Sequence, residues 1–167
     1  MPQALNPAWV AVVSRLVDAC PYFQLQSMRL TELTPGASCL EIDLAKKHLQ
    51  PFGLVHGGVL ATLVDAAGFW ALYSQTDPGL GLTSVEMKLN FLAPAVQGRL
   101  RGMGRAIKLG KTLGLAEARV EDQDGKLLAH GTVTLMALQS LSLWGQEELP
   151  PKFLPNAPGR AECLGSH

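Results

Sequence analysis

The sequence predicts an α+β domain in which one antiparallel β-sheet wraps around a long central helix. Three observations carry this. A helix-length apolar stretch occupies residues 57–75, in the middle of the chain. Strand-like runs lie on both sides of it, two before and four after. Strands grouped apart from helices mark α+β rather than alternating α/β architecture.

Residues 7–19 read as a helix, with Pro7 near its first position and an apolar face through Trp9, Val12, Val13, Leu16 and Val17. Pro21 ends it. Residues 23–33 and 37–45 alternate, and Thr34-Pro35-Gly36 turns between them, so the pair reads as a hairpin. Leu49-Gln50-Pro51-Phe52-Gly53-Leu54 is a loop leading to the pair Gly57-Gly58. The central helix runs from about Gly57 to Gln75 and stops at Asp77-Pro78-Gly79. It is apolar on nearly every side, which places it in the core. Strand-like runs at 81–92, 98–109, 112–122 and 126–138 complete the sheet. Ala93-Pro94, Gly110-Lys111 and Asp124-Gly125 separate them, the last being a hairpin signal. From Leu141 the chain holds Pro150, Pro151, Pro155 and Pro158 and shows no period. The organisation is thus one domain, residues 1–140, followed by a Pro-rich C-terminal extension, residues 141–167, read as an irregular strap or a partly disordered tail.

Composition narrows the function. With 47% hydrophobic and 17% charged residues, the 167-residue chain is an apolar domain large enough to bury a core. Lys plus Arg equals Asp plus Glu at 14 each, which gives no nucleic-acid surface. Cys20, Cys39 and Cys163 have neither metal-ligand spacing nor an even count, so the reading is reduced thiols, no metal and a cytoplasmic protein. The N-terminus lacks a signal-peptide pattern, and the best apolar stretch carries Asp65 and three glycines, so no membrane span is expected.

The chemistry lies in the central helix. Asp65 stands alone among Val, Ala, Phe and Trp, where a carboxylate is costly without a role or partner. Gly57 lacks a Cβ, so a carbonyl can approach its N–H at the positive end of the helix. An oxyanion donor plus an acid–base group suit attack on a carbonyl. In one helix, however, eight residues separate them by roughly 12 Å. A base and an oxyanion donor must both reach the same reacting atoms, within about 3 Å. A second copy related by a two-fold axis would bring its Asp65 to this chain's Gly57. The alternative role for Asp65 is structural, bonded to a strand hydroxyl. His56, at the helix start, is a candidate base or a holder of the loop through backbone bonds. No Ser or Cys sits in a nucleophile elbow.

Several segments match a known family: Gly53-Leu54-Val55-His56-Gly57-Gly58, Leu63-Val64-Asp65-Ala66-Ala67, Thr83-Ser84-Val85-Glu86-Met87, Phe91-Leu92-Ala93-Pro94, Gly110-Lys111-Thr112 and Asp124-Gly125-Lys126-Leu127-Leu128-Ala129. The chain resembles the hotdog-fold acyl-CoA thioesterases, in particular the phenylacetate-catabolism type and its mammalian mitochondrial relatives. The resemblance covers about residues 25–138. It implies a homodimer or a dimer of dimers, sites at the dimer interface, and hydrolysis of an acyl-CoA thioester with no separate cofactor. It implies Asp65 as base or nucleophile, Gly57 N–H polarising the thioester carbonyl, and Ser84, beside Thr83, positioning the water. An Asn usually stands six residues before the motif His; this chain has Gln50. The resemblance also makes Gly58 and the turn around Lys108, Gly110, Lys111 and Thr112 contacts for substrate and the CoA nucleotide, although a solvated face is the plain reading of those lysines and Arg105. Gln50 and the Pro-rich tail motivate a second hypothesis, a non-catalytic hotdog module that binds acyl-CoA as a sensor or partner protein.

Overall fold

A computed structural model of the chain describes residues 3–139, 141–143 and 145–155. Its order is α1 (Pro7–Asp18), α2 (Pro21–Gln26), β1 (Met28–Thr34), β2 (Ala37–Asp43), a 3₁₀ turn (Lys46–His48), α3 (Gly57–Tyr73), β3 (Gly81–Phe91), β4 (Arg99–Leu109), β5 (Leu113–Asp122) and β6 (Leu127–Leu138). The strands form one antiparallel sheet in the order β1-β2-β4-β5-β6-β3. The predicted architecture is present: a six-stranded antiparallel sheet curls around α3, with an N-terminal helix outside. This is the hotdog fold.

One element departs from the sequence reading. Residues 23–26 belong to the short helix α2 rather than to the first strand. Pro21 therefore does more than end α1. It opens α2 at its first turn, where a missing N–H costs nothing. Ser27 then ends α2 in the left-handed region at φ 51°, and the chain turns into β1.

α3 sits in the sheet because glycines let it approach. A Cβ on Gly104 of β4 would run into the Ala67 carbonyl of α3, and one on Gly102 would lie 3.1 Å from Leu63. Ser38 of β2 reinforces the contact by donating a 2.7 Å hydrogen bond to the same Ala67 carbonyl. Leu63, Val64, Ala67 and Leu72 are fully buried beneath the sheet. Each large apolar side chain of this kind contributes about 1.5–3 kcal/mol. The opposite stripe of α3, comprising Ala61, Thr62, Asp65, Ala66 and Phe69, stays partly open.

The C-terminal extension packs closely where it is described. It leaves β6 over Gly81, where a side chain would strike Leu141. It then contains a 3₁₀ turn, Gln146–Glu148, and reaches the N-terminus through a Leu5–Phe153 bridge. Lys152 is 5% exposed. Its ammonium donates to the carbonyls of Tyr73 and Thr76 and to the Thr76 hydroxyl, and lies over the rings of Trp9, Tyr73 and Phe153. It thereby caps the carbonyl end of α3. Burial pushes its pKa down from 10.5 to about 7, against the pull of Asp77. Pro158 and Cys163 lie outside the described residues. No helix is long and apolar enough to cross a membrane among the described residues.

Candidate active site

The loop before α3 is held by a histidine that sequence reasoning passed over. His48 is 1% exposed. Its Nδ1 accepts from Ala45 N at 2.9 Å, and its Nε2 lies 2.9 Å from the Gln26 carbonyl, to which it donates as the neutral tautomer. Its own carbonyl accepts from His56 N at 2.8 Å, fixing the start of α3. Burial lowers the pKa of His48 below 6.5, more than the Gln26 carbonyl raises it, and Lys47 adds to the lowering. The unfolded chain therefore takes up this proton first as the pH falls. Stability carried by His48 is full above about 6.5 and is lost as the pH drops through the lower folded value. Thermal unfolding followed by circular dichroism from pH 7.5 to 5 should show a falling midpoint, and His48→Asn should flatten that slope.

His56 caps α3. Its Nδ1 accepts the Gly58 N–H at 2.8 Å, from extended backbone at φ −64°, ψ 135°. The N–H of Gly58, which the resemblance makes a substrate contact, is thus already used. The Gly57 N–H has no hydrogen-bond partner among the described residues. Gly57 lines a cavity of about 340 Å³ together with Gln50, Leu60, Phe91, Leu92 and Pro94, among others. A Cβ on Gly57 would lie 3.2 Å from the Phe91 ring. The Gln50 side chain turns back on its own loop, where Oε1 accepts Phe52 N at 2.6 Å.

Asp65 lies on the same helix, about two turns beyond Gly57. It sits on the open stripe of α3, half-buried rather than sealed in the core. Ser84 of β3 donates to its Oδ1 at 2.6 Å. This is the strand hydroxyl that the structural alternative foresaw and also the serine that the resemblance pointed to. Thr83 neighbours it. Asp65 borders a different cavity, of about 630 Å³, with Thr62, Phe69 and Trp70 of the same helix. Tyr73, one turn further along, is buried against the rings of Phe69, Trp70 and Trp9, at 5.6, 5.4 and 6.4 Å between centroids, under Lys152. Within one chain, then, Asp65 borders one cavity, while Gly57 and Gln50 line a separate one.

The β4–β5 turn shares an end of the sheet with Asp65. Thr83 pairs with Met136, which pairs with Leu113; Ser84 pairs with Leu135, which pairs with Gly114. Lys108 and Lys111 are exposed there, and Gly110 N donates to the Leu113 carbonyl at 2.9 Å to close the turn. Thr112 holds the turn to β6 through its carbonyl, which accepts Ala137 N at 2.8 Å. Arg105, which flanked the same turn in sequence, is paired with Glu117 at 2.8 Å. No group of three or more His, Cys, Asp or Glu that could hold a metal ion occurs among the described residues.

Comparison with known proteins places this arrangement. Residues 52–129, which hold the loop, α3, β3 and the β4–β5 turn, match the family model of the thioesterase superfamily. The chain is 32% identical over 112 residues to acyl-coenzyme A thioesterase 13 of Mus musculus, covering 66% of this chain and 79% of that one. It is 26% identical over 108 residues to 1,4-dihydroxy-2-naphthoyl-CoA hydrolase of Listeria monocytogenes, covering 65% and 88%. A solved thioesterase family protein from Silicibacter pomeroyi superposes with TM-score 0.71 at 30% identity, covering 78% of this chain and 98% of that one. Fold, motif region and relatives agree, and the chain belongs to the thioesterase superfamily, whose members hydrolyse thioesters.

Proposed function

We propose that this chain hydrolyses acyl-CoA thioesters as a homodimer, at sites whose two halves come from different subunits. The observation that carries the reading is the division of the chemistry. Asp65, bonded to Ser84, borders one cavity of the chain, and Gly57 with Gln50 lines another; Asp65 and Gly57 stand roughly 12 Å apart along α3. The 11-residue strand β3 supplies the means of joining them. It is an edge of the sheet, with Val85, Met87 and Phe91 exposed. A long uncovered apolar edge is a template for pairing with another strand. If two copies of β3 pair antiparallel about an axis near Met87–Lys88, Ser84 of one chain comes opposite Phe91 of its partner. Ser84 marks Asp65, and Phe91 marks Gly57.

In such a site the Ser84 hydrogen bond fixes one Asp65 oxygen and leaves the other for water. Asp65 takes a proton from that water as hydroxide adds to the thioester carbonyl. Gly57 N–H and the helix end stabilise the resulting oxyanion. The carbon–sulfur bond then breaks, and the CoA thiolate leaves with the proton. Direct attack by Asp65 to give an anhydride, later hydrolysed, uses the same geometry. The Gln50 amide nitrogen remains available to the cavity that Gly57 lines, although its chain is one methylene longer than Asn. His56 orients Gly57 rather than serving as base, since its Nδ1 is occupied by Gly58. Lys108 and Lys111 can meet the CoA phosphates as point charges.

The finer assignment to the phenylacetate-catabolism type rests on the motif residues named above, and a cytoplasmic location rests on the cysteine pattern. The test is release of free CoA, read with a thiol reagent, from a panel running from acetyl-CoA to palmitoyl-CoA with phenylacetyl-CoA included. Turnover supports the proposal. Tight acyl-CoA binding without release of thiol would instead make the protein a binding module.

A further inference from the structure

The strap lies outside the family match, which ends at residue 129, yet it meets the cavity that holds Asp65. That cavity runs between α1, α2 and α3, and Ser142 and Leu143 form one side of it. Its other walls are apolar or aromatic, with Leu16, Val17, Phe23 and Trp70 among them. Besides Asp65, the polar side chains include Ser142, Thr62 and Tyr22, the last two joined by one 2.8 Å hydrogen bond between their hydroxyls. A pocket of about 630 Å³ with apolar walls and one carboxylate at its rim is the form of a site for an apolar group attached to a polar reacting centre.

The strap is built to stay there. Upstream, Leu141 fits over Gly81, where no side chain would be tolerated. Downstream, the backbone bonds Asn6 N to Lys152 O and Leu154 N to Ala4 O, at 2.9 and 3.0 Å, tie it to the N-terminal segment. The three donors of the Lys152 ammonium meet three acceptors on the end of α3. Residues 142 and 143 are therefore held between two fixed points.

We propose that the strap is a specificity element: Leu143, held by the Lys152 clasp, forms the wall that limits the length of an apolar, medium-sized acyl group whose carbonyl lies at Asp65. This rests on the acyl-CoA reading above. A cavity wall distinguishes chain lengths by contact and by exclusion, at about 10- to 200-fold per methylene. Polar and anionic acyl groups are disfavoured, because the walls are mainly apolar and Asp65 repels an anion.

The experiment compares wild type, Leu143→Trp, Leu143→Ala and Lys152→Met on a straight-chain acyl-CoA series. Leu143→Trp should leave kcat/KM for butyryl-CoA within about twofold and lower it for lauroyl-CoA by tenfold or more. Leu143→Ala and Lys152→Met should move the optimum to longer chains. Retained butyryl-CoA turnover shows that the variants are folded. Equal loss at every length, or an unchanged profile, overturns the proposal. Calorimetric binding of the uncleavable thioether S-dodecyl-CoA gives a readout that does not depend on turnover: tight binding in wild type, weakened tenfold or more in Leu143→Trp, supports the cavity assignment even if no thioester is cleaved. S-dodecyl-CoA binding equally to both proteins, or to neither, overturns it.

Discussion

Asp65→Asn should lower kcat/KM for acyl-CoA by about 10²- to 10⁴-fold, the range that a positioned general base supplies. The fold should survive, because Asn still accepts the Ser84 hydroxyl bond through its carbonyl oxygen. What disappears is the anionic oxygen that takes the proton from water or attacks the carbonyl. Stopped-assay measurement of free CoA at saturating and limiting substrate separates this from a binding defect, since the loss should fall on kcat. Gly57→Val should be comparably inactive by a different route. It fills the approach to the free N–H and crowds the Phe91 ring. The two variants together test the shared site more sharply than either alone. If each site takes Gly57 from one chain and Asp65 from the other, a mixed dimer of the two variants contains one intact site and one doubly defective site. Co-refolding them in equal amounts makes about half of the dimers mixed, so roughly a quarter of wild-type activity should return. No recovery above the separate variants would mean that each site is built within one chain.

Gly104→Ala should lower stability by about 3 kcal/mol or more, at or above the usual cost of overpacking a core. The added methyl has no side chain to displace. It meets the Ala67 carbonyl in the backbone of α3, with Gly68 N immediately behind. Either α3 lifts off β4 or the strand bends, and both disturb the Ser38–Ala67 hydrogen bond. The thermal midpoint should fall by about 2–4 °C for each kcal/mol lost. A control at Gly125, which sits in an exposed turn with open space around the position of a Cβ, should be milder despite its φ of 80°. If Gly104→Ala melts like wild type, close packing of α3 on β4 is not what seats the central helix.

Much of the fold was legible because its signals are local. Asp124-Gly125 closes a hairpin within a few residues of itself, and the apolar run from Gly57 announces a buried helix without reference to anything else. α2 was not legible. Pro21-Tyr22-Phe23-Gln24-Leu25-Gln26 alternates like a strand over a length too short for a helical period to show. Only the proline at its start and the left-handed Ser27 at its end mark it as a helix. The site divides in the same way. Asp65 stood out because a lone carboxylate conflicts with its neighbours, and its 12 Å distance from Gly57 follows from helix geometry alone. His48 carried no such conflict. Its partner is the carbonyl of Gln26, 22 residues back, and pairings between distant backbone and side-chain groups leave no periodic trace. The strap was hidden for the same reason: Lys152 finds its acceptors 76 and 79 residues away.

The Leu5–Phe153 bridge has a consequence for how the chain could be cut and rejoined. The first and last described segments lie side by side, tied by Gln3 to the Leu154 carbonyl and by Asn6 to the Pro151 carbonyl. A short flexible linker could join them into a continuous loop, and the exposed turn at Asp124-Gly125 would then serve as the new pair of ends. The three-dimensional order of strands around α3 would be unchanged, with β6 becoming the first strand of the sequence. This closed circuit is a property of the assembled domain rather than of the order in which its residues are written.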